Sequence, residues 1–183
     1  DFEPFMFNQT GRFWNANVEY VKANKEIVPG MKLIVTKSPF MGYFTKYPKI
    51  GWEDDMISRD ENESDKTNFI QLQELSLSLK TEEGEVLIVG CSHSTVEQIV
   101  RDTQSYTKND VSLVYGGYHL LPYNREQLTQ LANRLKNEMH VKRVAPAHCT
   151  GHLAFKILQN AFMADYVFAG LGSTVKFGTV HNK

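Results

Sequence analysis

At 183 residues, with 42% hydrophobic and 22% charged side chains, the chain has the balance of one sizeable globular domain or a large part of a bigger one. Its formal net charge of -1 gives no basis for a nucleic-acid surface. No apolar run approaches the roughly 18 to 20 residues that span a bilayer.

Residues 1–31 are rich in aromatics (Phe2, Phe5, Phe7, Phe13, Trp14, Tyr20) and keep no period of 2 or 3.6, so they read as an irregular segment that packs on something else. The opening Asp1-Phe2-Glu3-Pro4, without Met or a signal peptide, reads as a processed product or a fragment. Pro29-Gly30 is a turn pair that introduces a short strand, Lys32–Thr36. Residues 38–68 carry Pro39, Gly42, Pro48, Gly51 and the polar run 53–65, the pattern of a long loop. Loops of that length in compact domains are commonly lids or binding loops.

From Gln73 the pattern sharpens. Glu74-Leu-Ser-Leu-Ser-Leu-Lys80 alternates strictly, predicting a half-buried strand with Leu75, Leu77 and Leu79 on one face. Thr81–Gly84 turns it into a second strand, Val86–Val89, as a hairpin. Residues 94–104 place Val96, Ile99 and Val100 on one helical face. Asn124 with Gln127 three residues on is a capping box, and Leu128, Leu131 and Leu135 form the inner stripe behind it. Thr150 is the expected cap of a last helix in which Leu153, Ile157 and Ala161 share a face. Tyr166–Gly170 and Ser173–Phe177 read as two closing strands, and residues 178–183 as a tail. The order β-β-α-β-α-β-α-β-β is that of a layered α/β domain over residues 32–177.

Three histidines stand just past strand patterns. Val86–Val89 runs through Gly90-Cys-Ser to His93, Val111–Tyr115 through Gly116-Gly-Tyr to His119, and Val141–Val144 through Ala145-Pro-Ala to His148. In α/β sheets, ligands bind beyond the carboxyl ends of the strands, so the three imidazoles are expected to converge. Imidazole is the commonest metal ligand among side chains, which makes a metal centre the first hypothesis. His93 and His148 are the stronger candidates; His119, after two glycines, lines the pocket as ligand, substrate contact or proton carrier. The two cysteines, too few for a disulfide framework, both fall inside these motifs. Cys91 and Cys149 read either as a disulfide, if the compartment is oxidising, or as thiols lining the site. A Cys91–His93 nucleophile ranks second among catalytic readings. His140, His152 and His181 read as structural or surface residues.

Taken together, Glu74-Leu-Ser-Leu, Val89-Gly-Cys-Ser-His93, Gly116-Gly-Tyr-His-Leu120, Ala145-Pro-Ala-His-Cys-Thr-Gly151 and Ala169-Gly-Leu-Gly172 resemble the C-terminal half of the metallo-β-lactamase fold. The closest branch is the dihydropterin or dihydropteroate-synthase-like metallo-hydrolases. The resemblance implies an αββα sandwich with a divalent metal, zinc before iron or manganese, held by Cys91, His93 and His148. His119 is then the catalytic residue, and Tyr43, Trp52 and Tyr118 are the expected substrate contacts. It also implies export to the periplasm or beyond. The superfamily's N-terminal His-x-His-x-Asp-His run does not occur in the chain. The expected partners are therefore a small-molecule substrate and the missing N-terminal half of the domain, on the same protein or on a second chain.

Two classes of function follow. One is a metal-dependent hydrolase, or its C-terminal part, acting on an ester, amide, lactone or phosphodiester. The other is a non-catalytic binding or partner module that keeps the fold with an incomplete metal site.

Overall fold

The computed structural model describes residues 12–13, 16–17, 21–37 and 73–177. The long loop expected at 38–68, with Tyr43 and Trp52, and the tail expected at 178–183 lie outside the described residues. Two short strands, β1 (Arg12–Phe13) and β2 (Ala16–Asn17), pair with each other. The main sheet is six-stranded, in the order β3 (Lys25–Val28), β4 (Met31–Lys37), β5 (Gln73–Thr81), β6 (Gly84–Val89), β7 (Val111–Gly117) and β8 (Arg143–Ala147). Pairings from β3 to β6 are antiparallel, and those of β6 with β7 and β7 with β8 are parallel.

That change of direction follows from the connections. Thr81–Gly84 is a tight hairpin, closed by the Thr81 hydroxyl on the Gly84 carbonyl at 2.7 Å. Beyond β6 each return to the sheet passes through a helix, and a helical crossover makes its flanking strands parallel. These helices are α1 (Val96–Thr107), between β6 and β7, and α2 (Arg125–Asn133), continued by a π-helical turn over Arg134–Glu138, between β7 and β8. A third, α3 (His152–Phe162), follows β8. The Asn124 capping box is present as expected, with Asn124 Oδ1 accepting the Gln127 N–H and Gln127 Oε1 accepting the Asn124 N–H, both at 2.9 Å. Among the described residues no helix is long and apolar enough to cross a membrane.

The helices cover one face of the sheet. Leu87, Val89, Val114 and Val144 from the strands bury against Val96, Ile99 and Val100 of α1, Leu128, Leu131 and Leu135 of α2 and its extension, and Leu158 and Phe162 of α3. The opposite face carries a smaller cluster of Val86, Leu113, Ala145 and Ala169.

The alternation of β5 is real, and its face turned towards the helices is Ser76 and Ser78, while Leu75 on the other face is 43% exposed. Period 2 divides a strand into two faces without saying which one meets the helices. Residues 1–31 are not wholly irregular, because β3 pairs with β4 across Pro29-Gly30, with Gly30 at φ 84°. The closing stretch forms no strands; it makes a single bridge, Val144 with Tyr166. The cap of α3 is Gly151 rather than Thr150, and its inner face is Ala154, Ile157, Leu158 and Phe162, with Leu153 exposed.

Candidate metal centre

Three loops leave the same end of adjacent strands, and hydrogen bonds lock them together. In the β6–α1 loop, Ser92 Oγ donates to the Gly117 carbonyl at 2.6 Å, and the Gly117 N–H donates to the Gly90 carbonyl at 2.8 Å. In the β8–α3 turn, Thr150 Oγ1 accepts the Tyr118 N–H at 3.2 Å and donates to the Ala147 carbonyl at 2.6 Å. Glu74 on β5 reaches across, its two oxygens accepting the N–H groups of His93 at 3.0 Å and Ser94 at 2.8 Å. Ser92, His119 and His148 all have left-handed backbone, at φ 60°, 51° and 50°. Such conformations cost side-chain-bearing residues of order 1 kcal/mol each and cluster where a site over-determines the chain. Gly117 leaves room for this junction: a Cβ there would meet the Gly90 carbonyl oxygen at 2.7 Å, Cys149 Sγ at 3.0 Å and His148 Cδ2 at 3.2 Å.

The side chains fall into two groups. In the first, His148 Nε2 lies 3.1 Å from Cys91 Sγ, and Cys149 Sγ donates to the Cys91 carbonyl at 3.4 Å. The ligand atoms of Cys91, His148 and Cys149 all lie within 4.8 Å of one another. In the second, the rings of His93 and His119 sit with centroids 4.4 Å apart, inclined at 51°. Burial, then the neighbouring His93 ring and more weakly that of His148, hold the His119 imidazole below its ordinary pKa, against an opposing pull from Glu74 that is weaker than that of His93 but stronger than that of His148. Burial, together with the adjacent Cys91 thiol, pushes the Cys149 thiol up, although the His119 backbone N–H opposes it.

The three expected imidazoles are thus brought to one end of the sheet, with Cys91 beside His148. His93 lies outside the three-residue donor group and faces His119. Tyr118 is not a substrate contact: it is 1% exposed, and its hydroxyl donates back to the Val114 carbonyl at 2.8 Å. Side chains alternate along an extended strand end, so Tyr118 turns into the core between two residues of the site. His140 and His152 are exposed, and His181 lies outside the described residues. The sequence reads Cys149 only as a thiol lining the site or as half of a disulfide, and it gives Glu74 no role in the site. Cys149 follows His148 directly, and only the short turn over His148–Thr150 brings its sulfur to the Cys91 side. Glu74, 19 and 20 positions before the two N–H groups it anchors, gives no local signal.

The donor set fits a zinc-class ion. Two thiols and an imidazole suit a borderline-soft cation, whereas magnesium and calcium take oxygen ligands.

No family model matches the chain. Over 105 residues it is 30% identical to the 7,8-dihydropterin-6-methyl-4-(beta-D-ribofuranosyl)-aminobenzene-5'-phosphate synthase of Methanocaldococcus jannaschii, an alignment covering 57% of this chain and 35% of that protein. A solved structure described as a metal-dependent hydrolase of the beta-lactamase superfamily superposes with a TM-score of 0.64 at 25% identity, covering 87% of this chain and 58% of the other. The fold is metallo-β-lactamase-like. The chain spans a little over a third of that relative and 58% of that structural neighbour.

Proposed function

We propose that the chain carries part of a metal-dependent hydrolase centre that acts on a small molecule with an ester, amide, lactone or phosphodiester bond. The observation that carries this reading is the meeting of Cys91, His148 and Cys149 donors within 4.8 Å, beside the His93–His119 pair. Its position beyond the carboxyl ends of β6, β7 and β8, on a fold shared with a metal-dependent hydrolase, supports the same reading.

Cys91 and His148 would hold the ion, with Cys149 in the same group and His93 a further candidate from the family resemblance. A bound zinc-class ion supplies Lewis acidity and makes water nucleophilic at neutral pH. The protein's own part is positioning and proton handling. Ser92, Gly117 and Thr150 fix the three loops relative to one another, and Glu74 fixes the turn that carries His93. His119, whose imidazole is held below its ordinary pKa chiefly by burial, would donate a ring N–H to an oxygen on which charge develops. Within the superfamily we favour the dihydropterin-synthase-like branch, a choice supported by the likeness to the archaeal synthase. Tyr43 and Trp52 remain the proposed contacts to the organic part of the substrate. A second segment or chain adding further ligands belongs to the same proposal.

The test is the metal content of protein purified without chelator, followed by a screen of chromogenic esters, lactones and phosphodiesters. Near-stoichiometric zinc that is lost in His148→Ala, with hydrolysis abolished by a chelator and restored by zinc, is the expected result. Protein that neither carries zinc nor takes it up at micromolar concentration overturns the reading.

A further inference from the structure

The two thiols of the donor group belong to different loops, 58 residues apart in sequence. Their sulfur atoms nevertheless lie within 4.8 Å, and the Cys149 S–H is already directed at the backbone of Cys91. Both are free and only half-buried. The chain has two cysteines in all, so an intramolecular disulfide in it has one possible pairing. A disulfide needs the sulfurs at about 2.05 Å, so the two side chains have to close the remaining gap.

We propose that Cys91 and Cys149 are an oxidative modification site, which a hydroperoxide converts to an intramolecular disulfide and a thiol reductant restores. Cys91 Sγ attacks one peroxide oxygen, the O–O bond breaks, and the departing hydroxide leaves as water with the thiol proton. The product is a sulfenic acid on Cys91. Cys149 Sγ then attacks that sulfur; the S–S bond forms, the S–O bond breaks, and the hydroxyl leaves as a second water with the Cys149 proton. Two thiols are oxidised by two electrons and one hydrogen peroxide is reduced to two waters. The disulfide removes two of the three donors from the group, leaving His148. This consequence for metal binding rests on the hydrolase reading; the disulfide itself does not.

The experiment treats the full chain, reduced and stripped with chelator, with hydrogen peroxide. Free thiols are titrated and peptides are mapped without reduction. The expected result is loss of both thiols together in a monomeric chain, with one cross-linked peptide holding Cys91 and Cys149, reversed by dithiothreitol. In Cys149→Ser, Cys91 stops at a sulfenic acid that dimedone traps. Persisting thiols, separate over-oxidation of each sulfur, or links only between chains overturn the proposal. Preloaded zinc slows the disulfide at least about tenfold, because the attacking sulfur must be a free thiolate. A disulfide that forms equally fast with zinc present supports the modification site and counts against the metal centre. Tight zinc binding without any disulfide overturns the modification site alone.

Discussion

The Glu74 carboxylate accepts the backbone N–H of His93 at 3.0 Å, and its second oxygen takes that of Ser94 at 2.8 Å. A residue of the antiparallel half of the sheet thereby anchors the turn from which the parallel half presents its first histidine. Both N–H groups precede α1, where free donors favour an anion.

Removing that anchor leaves two donors at a half-buried turn without their acceptor. Glu74→Ala is expected to cost about 2 kcal/mol, since hydrogen bonds to a charged group are worth roughly twice a neutral one. Glu74→Gln, which keeps one acceptor oxygen, loses about half as much. Urea unfolding measures both. The positioning role also predicts that the His93 and His119 ring resonances shift in Glu74→Ala and return in Glu74→Gln. Unmoved resonances in both variants would reduce Glu74 to a stabilising contact.

Gly117 supplies a test of the junction itself. A methyl group there meets the Gly90 carbonyl oxygen at 2.7 Å, and that atom is backbone, so the β6 and β7 loops must separate. Gly117→Ala is expected to lose about 1–3 kcal/mol as an overpacked site and to weaken zinc binding at least about tenfold by displacing Cys149 and His148. Calorimetric zinc titration decides it. Unchanged zinc affinity would mean that the two side chains do not form one donor set.

Tyr118 tests what the burial of an expected site residue means. Its hydroxyl bonds to the Val114 carbonyl inside the core, so Tyr118→Phe removes one neutral hydrogen bond, about 1 kcal/mol. For any substrate found in the screen, KM should not change. A raised KM with unchanged stability would return Tyr118 to the pocket.

The sequence carried the strand ends well and their grouping poorly. His93, His119 and His148 were readable because each stands past an apolar run broken by glycine or proline, a local pattern. The helix stripes of α1 and α2 and the Asn124 capping box were local for the same reason. Which donor meets which depends on left-handed backbone at Ser92, His119 and His148 and on hydrogen bonds between loops. That is why Cys149 joined the Cys91–His148 group while His93 turned to His119. Which face of β5 meets the helices was not legible because the burial of Ser76 and Ser78, the latter bonded to the buried Glu85, is a tertiary fact. The closing strands failed for a simpler reason. The residues after Tyr166 have strand-like composition, but after the single bridge to Val144 they do not continue along β8.

At the opposite end of the sheet, Glu85 is fully buried and ties four segments together. Its carboxylate accepts from Ser78 at 2.6 Å, Asn109 at 2.9 Å and Lys32 at 3.2 Å, and its carbonyl accepts from Ser112 at 3.2 Å. Burial pushes the Glu85 pKa up, but the three hydrogen bonds and the Lys32 charge outweigh it and hold the value below that of a free carboxyl. A group whose folded pKa is depressed stabilises the protein above its unfolded value, and that contribution is lost as pH falls through the folded value. Wild-type stability should therefore fall as pH drops below the ordinary carboxyl range, and Glu85→Gln should flatten that part of the profile. At neutral pH, Glu85→Ala strands Lys32 and Asn109 and is expected to cost about 3 kcal/mol. Urea midpoints of the two proteins between pH 7 and about pH 3 measure the difference. Parallel profiles would mean that the lowered pKa is not a property of Glu85 in the folded chain, and the clasp would then stabilise through packing alone.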